Sequence, residues 1–229
     1  PVSDSDGDGV DDELDEYPND SERAFNVYYP NSEDFGTLAF EDLWPGKGDY
    51  DFNDLVLDYQ FKQVLNADNE LVEFYMDYMV RAIGASLENG FGFEIPGVEP
   101  LNVKSISGQQ LTESYINLEA NGTESGQSTA VIILFDNAFS MMEAPSGSFG
   151  VNTMPDAPYI EPVLRQLIVE FENPVSTQLT GFAPYNPFLI VDKSRGREVH
   201  LPGKTPTDLH DPSLFGQWFD ATNPVIGKY

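Results

Sequence analysis

The chain of 229 residues contains no cysteine. Disulfides, zinc thiolate sites and thiol nucleophiles are thereby excluded, and any staple has to come from a metal ion. Basic residues are scarce: 11 Lys and Arg stand against 39 Asp and Glu, a formal charge of -28. Such a surface opposes binding to nucleic acid or anionic lipid and makes multivalent cations the natural counter-charge. There are two histidines, and no Gly-x-Ser-x-Gly, HExxH or phosphate-cradling glycine loop, so the expectation is a protein that is not an enzyme. Glycoside hydrolysis by a carboxylate pair is the catalytic alternative, but among 39 acidic residues no pair stands out without geometry. No apolar run approaches the roughly 18 residues of a membrane span, so direct membrane insertion is not expected. No secretory leader is visible and residue 1 is proline, so the numbered chain reads as trimmed.

What is present falls into two parts. Residues 1–22 are acidic and almost free of large apolar groups, whereas from Phe25 onward aromatic and β-branched residues come at steady density. The boundary divides a small calcium-loop appendage, 1–22, from a larger domain, 23–229. At 40% hydrophobic and 13% aromatic, that domain has enough apolar mass to fill a core. Leu55, Leu57, Tyr59 and Phe61 alternate with Val56, Asp58, Gln60 and Lys62, and Val72, Phe74, Met76, Tyr78 and Val80 alternate after the turn formers "NADNE". This predicts a long antiparallel hairpin. Further strands are expected at 91–95, 130–135, 164–171 and 187–192, with long surface loops rich in Pro and Gly over 145–162 and 202–224. Helical periodicity is weak, and the expected fold is an all-β antiparallel sandwich, nearest to a jelly roll.

The stretch "DSDGDGVDDELD", 4–15, packs seven acidic side chains into twelve positions. Without a counter-ion such a segment stays disordered. Counting Asp4 as the first position, Asp6, Asp8, Val10, Asp12 and Asp15 fall at 3, 5, 7, 9 and 12, and Gly9 at 6. These are the ligand positions of a twelve-residue calcium loop: alternate side chains of a curled chain point inward, and glycine permits the sharp turn. Asp15 replaces the usual glutamate, and Pro18 precludes a long exiting helix. The segment from Asp4 to Asp20 resembles a thrombospondin type 3 repeat; the alternative is a solvated acidic linker.

A second acidic cluster lies in "FEDLWPGKGDYDFNDLVLDYQF", 40–61, which carries Glu41, Asp42, Asp49, Asp51, Asn53 and Asp54. Alternate Asp49, Asp51 and Asn53 can converge on one ion, with Glu41 and Asp42 returning from the preceding strand and Asp54 at the start of the next. The alternative is an acidic turn that uses Asp and Asn for local backbone hydrogen bonds. Downstream, "SRGREVHLPG", 194–203, brings Arg195, Arg197 and His200 together; the arginines either bind an anionic ligand group or neutralise neighbouring carboxylates. Asp208 and Asp211, near His210, fit an ordinary turn at least as well as an ion site.

Together "LAFEDLWPGKGDYDFNDLVLDYQF" and "NPFLIVDKSRGREVHLPGKTPTDLHDPSLFG", 186–216, resemble the LruC domain family of bacterial surface proteins. The resemblance implies an exported protein of the bacterial cell surface or outer membrane, whose members continue past the point where this chain ends. The expectation is a calcium-dependent extracellular adhesion module that binds a peptide or glycan on another cell or matrix surface. Asp49, Asp51 and Asp54 would hold an exposed calcium there, with Arg195 and Arg197 as further ligand contacts. A calcium-rigidified spacer without a ligand is the alternative.

Overall fold

The computed structural model describes residues 3–44, 46 and 48–214. Two antiparallel sheets pack face to face, as the alternating strands predict. The first contains β1 (Phe25–Tyr29), β2 (Gly36–Phe40), β3 (Leu55–Leu65), β4 (Glu70–Ala82), β6 (Val103–Ser107) and β8 (Arg165–Ser176). Its order is β1-β3-β4-β8-β6, and β2 pairs with the part of β3 that β1 leaves open. The second contains β5 (Gly90–Ile95), β7 (Ala130–Phe135), β9 (Asn186–Ile190) and β10 (Glu198–His200), in the order β10-β9-β5-β7. From β4 to β9 the chain changes sheet at every strand, so the core closes only when distant segments meet.

The period of two decides which face each strand buries. On β3, Leu55, Leu57, Tyr59 and Phe61 point inward and Val56, Asp58, Gln60 and Lys62 outward. β4 follows the same rule from Phe74 to Val80, but at its start Leu71 rather than Val72 is buried. The cause is a bulge: Leu65 pairs with Leu71 and Val64 with Glu73, which leaves Val72 as the extra residue. Between the sheets, Phe61, Phe74, Phe93 and Tyr185 form an aromatic cluster with ring centroids 5.5–6.1 Å apart. Each such ring contributes about 1.5–3 kcal/mol on burial, and the buried Tyr185 hydroxyl accepts a hydrogen bond from Gln63 at 2.6 Å.

The strands expected at 91–95, 130–135, 164–171 and 187–192 correspond to β5, β7, β8 and β9. Four short strands carry no comparable pattern; β10 lies inside the stretch 194–203, read above for its basic residues. Of the long loop expected at 202–224, residues 215–224 lie outside the described residues.

The N-terminal segment is fastened to the first sheet. Ala24 N–H donates to Leu65, Glu16 N–H to Ala24, and the Tyr17 hydroxyl to Asn26. Arg23 bridges Asp20 and Glu73, and the Lys62 ammonium lies over the rings of Tyr17 and Tyr75. The loop at 4–15 therefore ends on a fixed support.

Candidate functional site

In the N-terminal loop the carboxylates of Asp4, Asp6 and Asp8 come within 4.8 Å of one another. The backbone holds them there. Asp4 accepts the N–H groups of Gly7 and Gly9, Asp6 that of Asp8, and Asp8 that of Val10. Both glycines have φ near +90°, a conformation that costs a side-chain-bearing residue roughly 1–2 kcal/mol. One oxygen each of Asp6, Asp8 and Asp15 is buried and meets no hydrogen-bond donor. Asp15 is 8% exposed, and its other oxygen accepts the Tyr17 N–H. Buried carboxylate oxygens without a partner are costly, and hard-oxygen coordination of a cation removes the cost. Asp12 stands apart, with both oxygens turned to the N–H and hydroxyl of Ser5.

The second cluster occupies the connection between β2 and β3. The ladder of these strands ends at Phe40–Leu55, which sets Glu41 opposite Asp54; Asp54 accepts the Asp42 N–H at 2.7 Å. Between them the chain loops out and back. Tyr50 and Phe52 have φ of 59° and 52°, and this alternation turns both N–H groups onto the Glu41 carboxylate, at 3.1 and 2.9 Å. Glu41, 2% exposed, thereby becomes the hub of the loop, with the exposed Asp49 and Asp51 carboxylates within 4.8 Å. A Cβ at Gly48 would lie 2.7 Å from a Glu41 oxygen, so a side chain there would push against this carboxylate. Asn53 donates to Asp51 at 2.5 Å and is tied to Gly84 through its carbonyl. Burial, reinforced by Asp49 and Asp51 and opposed by the two N–H bonds, raises the Glu41 pKa. Burial likewise pushes Asp54 up to about 7, with the charges of Asp42, Glu41 and Asp49 adding to it.

Against this loop lies a pocket of about 130 Å³ lined by Ala39, Phe40, Glu41, Trp44, Phe52 and the 199–202 segment. The Trp44 and Phe52 rings are 6.1 Å apart. The sequence signal for it is Trp44 and Phe52 set among the carboxylates of 41–54, read above for charge alone.

The two arginines of the downstream motif part company. Arg195 spends its guanidinium on Glu124, Glu198 and Thr207, and stacks over Phe188. Glu198 also binds the Thr207 N–H and His200, whose other ring nitrogen meets Asn186. Although burial opposes its charge, the His200 hydrogen bond and the Arg195 charge hold Glu198 at about 2. In this network arginine and carboxylates neutralise one another inside the protein. Arg197 instead lies where burial lowers its pKa while Asp42 and Asp192 favour its charge, and Asn89 links the Asp42 carboxylate to the Asp192 N–H. Asp211 accepts the N–H and hydroxyl of Ser213, as a turn residue does, whereas Asp208 accepts the N–H of Ser128, 80 positions away, and so ties two distant segments.

Residues 69–229 match the family described as a domain of unknown function, DUF4842. The chain belongs to this family. Both acidic clusters precede the matched segment, whereas the 199–202 wall of the pocket, Arg195 and Arg197 fall within it. No curated protein matches the chain. A crystal structure at 2.08 Å resolution of a candidate lipoprotein from Bacteroides ovatus is similar, with a TM-score of 0.55 and 19% identity over 80% of this chain. The likeness is one of fold, and this chain spans 57% of the length of that protein. Among the described residues, no helix is long and apolar enough to cross a membrane.

Proposed function

We propose that this chain is a non-catalytic, calcium-braced binding module of a bacterial surface protein. The observation that carries the calcium is the trio of buried, donor-less carboxylate oxygens on Asp6, Asp8 and Asp15. Asp4, Asp6, Asp8 and Asp15 would hold the ion and backbone carbonyls or water would complete its shell, since calcium takes six to eight oxygens. Calcium supplies the positive charge that 4–15 lacks and locks the loop onto the support built by Tyr17, Arg23 and Ala24. Support for a surface location comes from the lipoprotein with the same fold and from the LruC and thrombospondin type 3 resemblances. The ligand face in this reading is the β2–β3 connection, where a charged loop adjoins an apolar pocket. Asp49, Asp51 and Asp54 are its acidic contacts.

The test is a calcium titration of the chelator-stripped protein by calorimetry, with the melting temperature followed alongside. At a hundredfold excess over Kd, one site gives about 2.7 kcal/mol, read as a rise of roughly 5–10 °C. Asp8→Asn and Asp15→Asn should abolish most of that rise, while Asp51→Asn leaves it. No heat and no change in melting would overturn the calcium reading.

A further inference from the structure

We propose that the apolar pocket beside Glu41 receives the side chain of a lysine presented by a basic partner protein. The inference deepens the binding-module reading and does not depend on calcium in the N-terminal loop. The shape comes first. Phe40, Trp44, Phe52, Val199, Leu201 and Pro202 make walls of carbon around about 130 Å³. That is close to the roughly 150 Å³ of a dry cavity able to take benzene, and it suits a four-carbon stem. A sugar would leave its hydroxyls without partners against such walls.

The charge comes second. Glu41 belongs both to the pocket lining and to the carboxylate cluster, so the apolar slot adjoins the acidic loop. Glu41 is almost wholly buried, and no ion pair to it, Asp49 or Asp51 is found among the described residues. Each Glu41 oxygen accepts one backbone N–H, which leaves lone pairs for the N–H bonds of an ammonium. Trp44 and Phe52 add ring faces that favour a cation within about 6 Å. A charge of -28 steers basic partners toward the surface and repels acidic ones.

The rival occupant is a metal ion. Calcium demands six to eight oxygens, and it would make no use of the aromatic slot. An alkylammonium uses both halves of the site: the stem fills the pocket and the head meets Glu41, with Asp49 and Asp51 at the rim.

Trp44 reports on its own pocket. With Trp218, which lies outside the described residues, replaced by phenylalanine, Trp44 is the sole indole. Emission is followed during titration with an acetylated, amidated trilysine peptide and with its trinorleucine counterpart. The expected result is a saturating change with trilysine, binding of trinorleucine at least tenfold weaker, and at least tenfold loss in Glu41→Gln. Asp51→Asn, a change at an exposed side chain, should weaken binding about threefold without altering the melting temperature, so an unfolded Glu41→Gln would not leave the matter open. An equal response to both peptides, or none in a folded protein, overturns the proposal. So does loss of the trilysine response on adding stoichiometric calcium, which would assign the cluster to the metal. Failure by any of these routes leaves the calcium-braced loop standing, because that reading is decided by calorimetry and melting of the Asp8 and Asp15 variants.

Discussion

Two loops concentrate this protein's negative charge, and they hold it in different ways. In 4–15 the backbone engages one oxygen each of Asp6, Asp8 and Asp15 and leaves the other, buried, with no donor. In 41–54 the central carboxylate has a backbone N–H on each oxygen, and no buried carboxylate oxygen of the described residues there lacks a donor. One loop leaves buried carboxylate oxygens without a donor. The other is complete as a loop and keeps a charged, aromatic-walled pocket at its side. Proximity alone does not separate them, since each brings three carboxylates within 4.8 Å. Satisfaction of individual oxygens does, because the cost of burying a polar atom depends on whether that atom has a partner.

If the protein buries carboxylates only where a cation or a donor meets them, the severest disturbance should come where the chain supplies its own cation. Arg195 is that cation for Glu124 and Glu198, both nearly inaccessible. Arg195→Met leaves two buried carboxylates facing each other, and the expected loss is about 3–5 kcal/mol. It would be read as an earlier urea midpoint with an unchanged slope. Arg195→Lys should recover only part, because a single ammonium cannot serve Glu124, Glu198 and Thr207 as the planar fork does. A loss below about 1 kcal/mol in Arg195→Met would mean that the burial rule drawn from the two loops is wrong.

The hairpin loop offers a smaller and pH-dependent test. Asp54 ionises at an ordinary value of 3.8 in the unfolded chain and at about 7 in the folded protein, because of burial and of Asp42, Glu41 and Asp49. Between those values the folded state holds a proton that the unfolded state releases. Its contribution is therefore fully present below about pH 4 and is lost as pH rises through 7. The side chain is only partly buried, so after solvent screening the effect is on the order of 1 kcal/mol, or 2–4 °C. The difference in melting temperature between wild type and Asp54→Asn should accordingly grow in the variant's favour from pH 4 to pH 7. A difference that stays flat would mean that Asp54 is charged at all these pH values.

The parts of this molecule legible in sequence are those governed by a short period. Alternation fixed the inward residues of β3 and most of β4, and the bulge at Val72 escaped because it depends on the partner strand. The acidic register of 4–15 depends on spacing within one loop, and of its positions the structure brings the carboxylates of Asp4, Asp6 and Asp8 within 4.8 Å of one another, a group that does not include Asp15. The second cluster was visible as charge, but its organisation was not. Glu41 becomes a hub because Tyr50 and Phe52 adopt left-handed conformations, which no pattern of residue types announces. The pocket needs Val199, Leu201 and Pro202, more than 140 positions away, brought close by the pairing of β10 with β9 in the other sheet. Arg195 and Arg197 stand two residues apart in sequence, yet the turn before β10 delivers them to different neighbours.

The smallest expected effect is at Asp12, and it tests whether ligand positions in the N-terminal loop can be assigned by counting. By register Asp12 is the ninth position, where calcium loops often act through water. In the structure its oxygens face the Ser5 N–H at 2.7 Å and hydroxyl at 2.8 Å, and its own N–H donates to the Ser3 carbonyl. Hydrogen bonds from Ser3 and Ser5 hold its carboxyl below the usual range, so it is ionised and engaged before any cation arrives. Asp12 thus closes the loop across its mouth, while Asp6, Asp8 and Asp15 keep unpaired oxygens. Asp12→Asn keeps a side-chain acceptor for Ser5, so calcium Kd should change less than threefold and the melting temperature by under about 2 °C. Asp12→Ala removes the closure and should weaken calcium somewhat more, through a looser loop. A tenfold loss in Asp12→Asn would restore Asp12 to the coordination shell and show that the ion re-aims this side chain on binding.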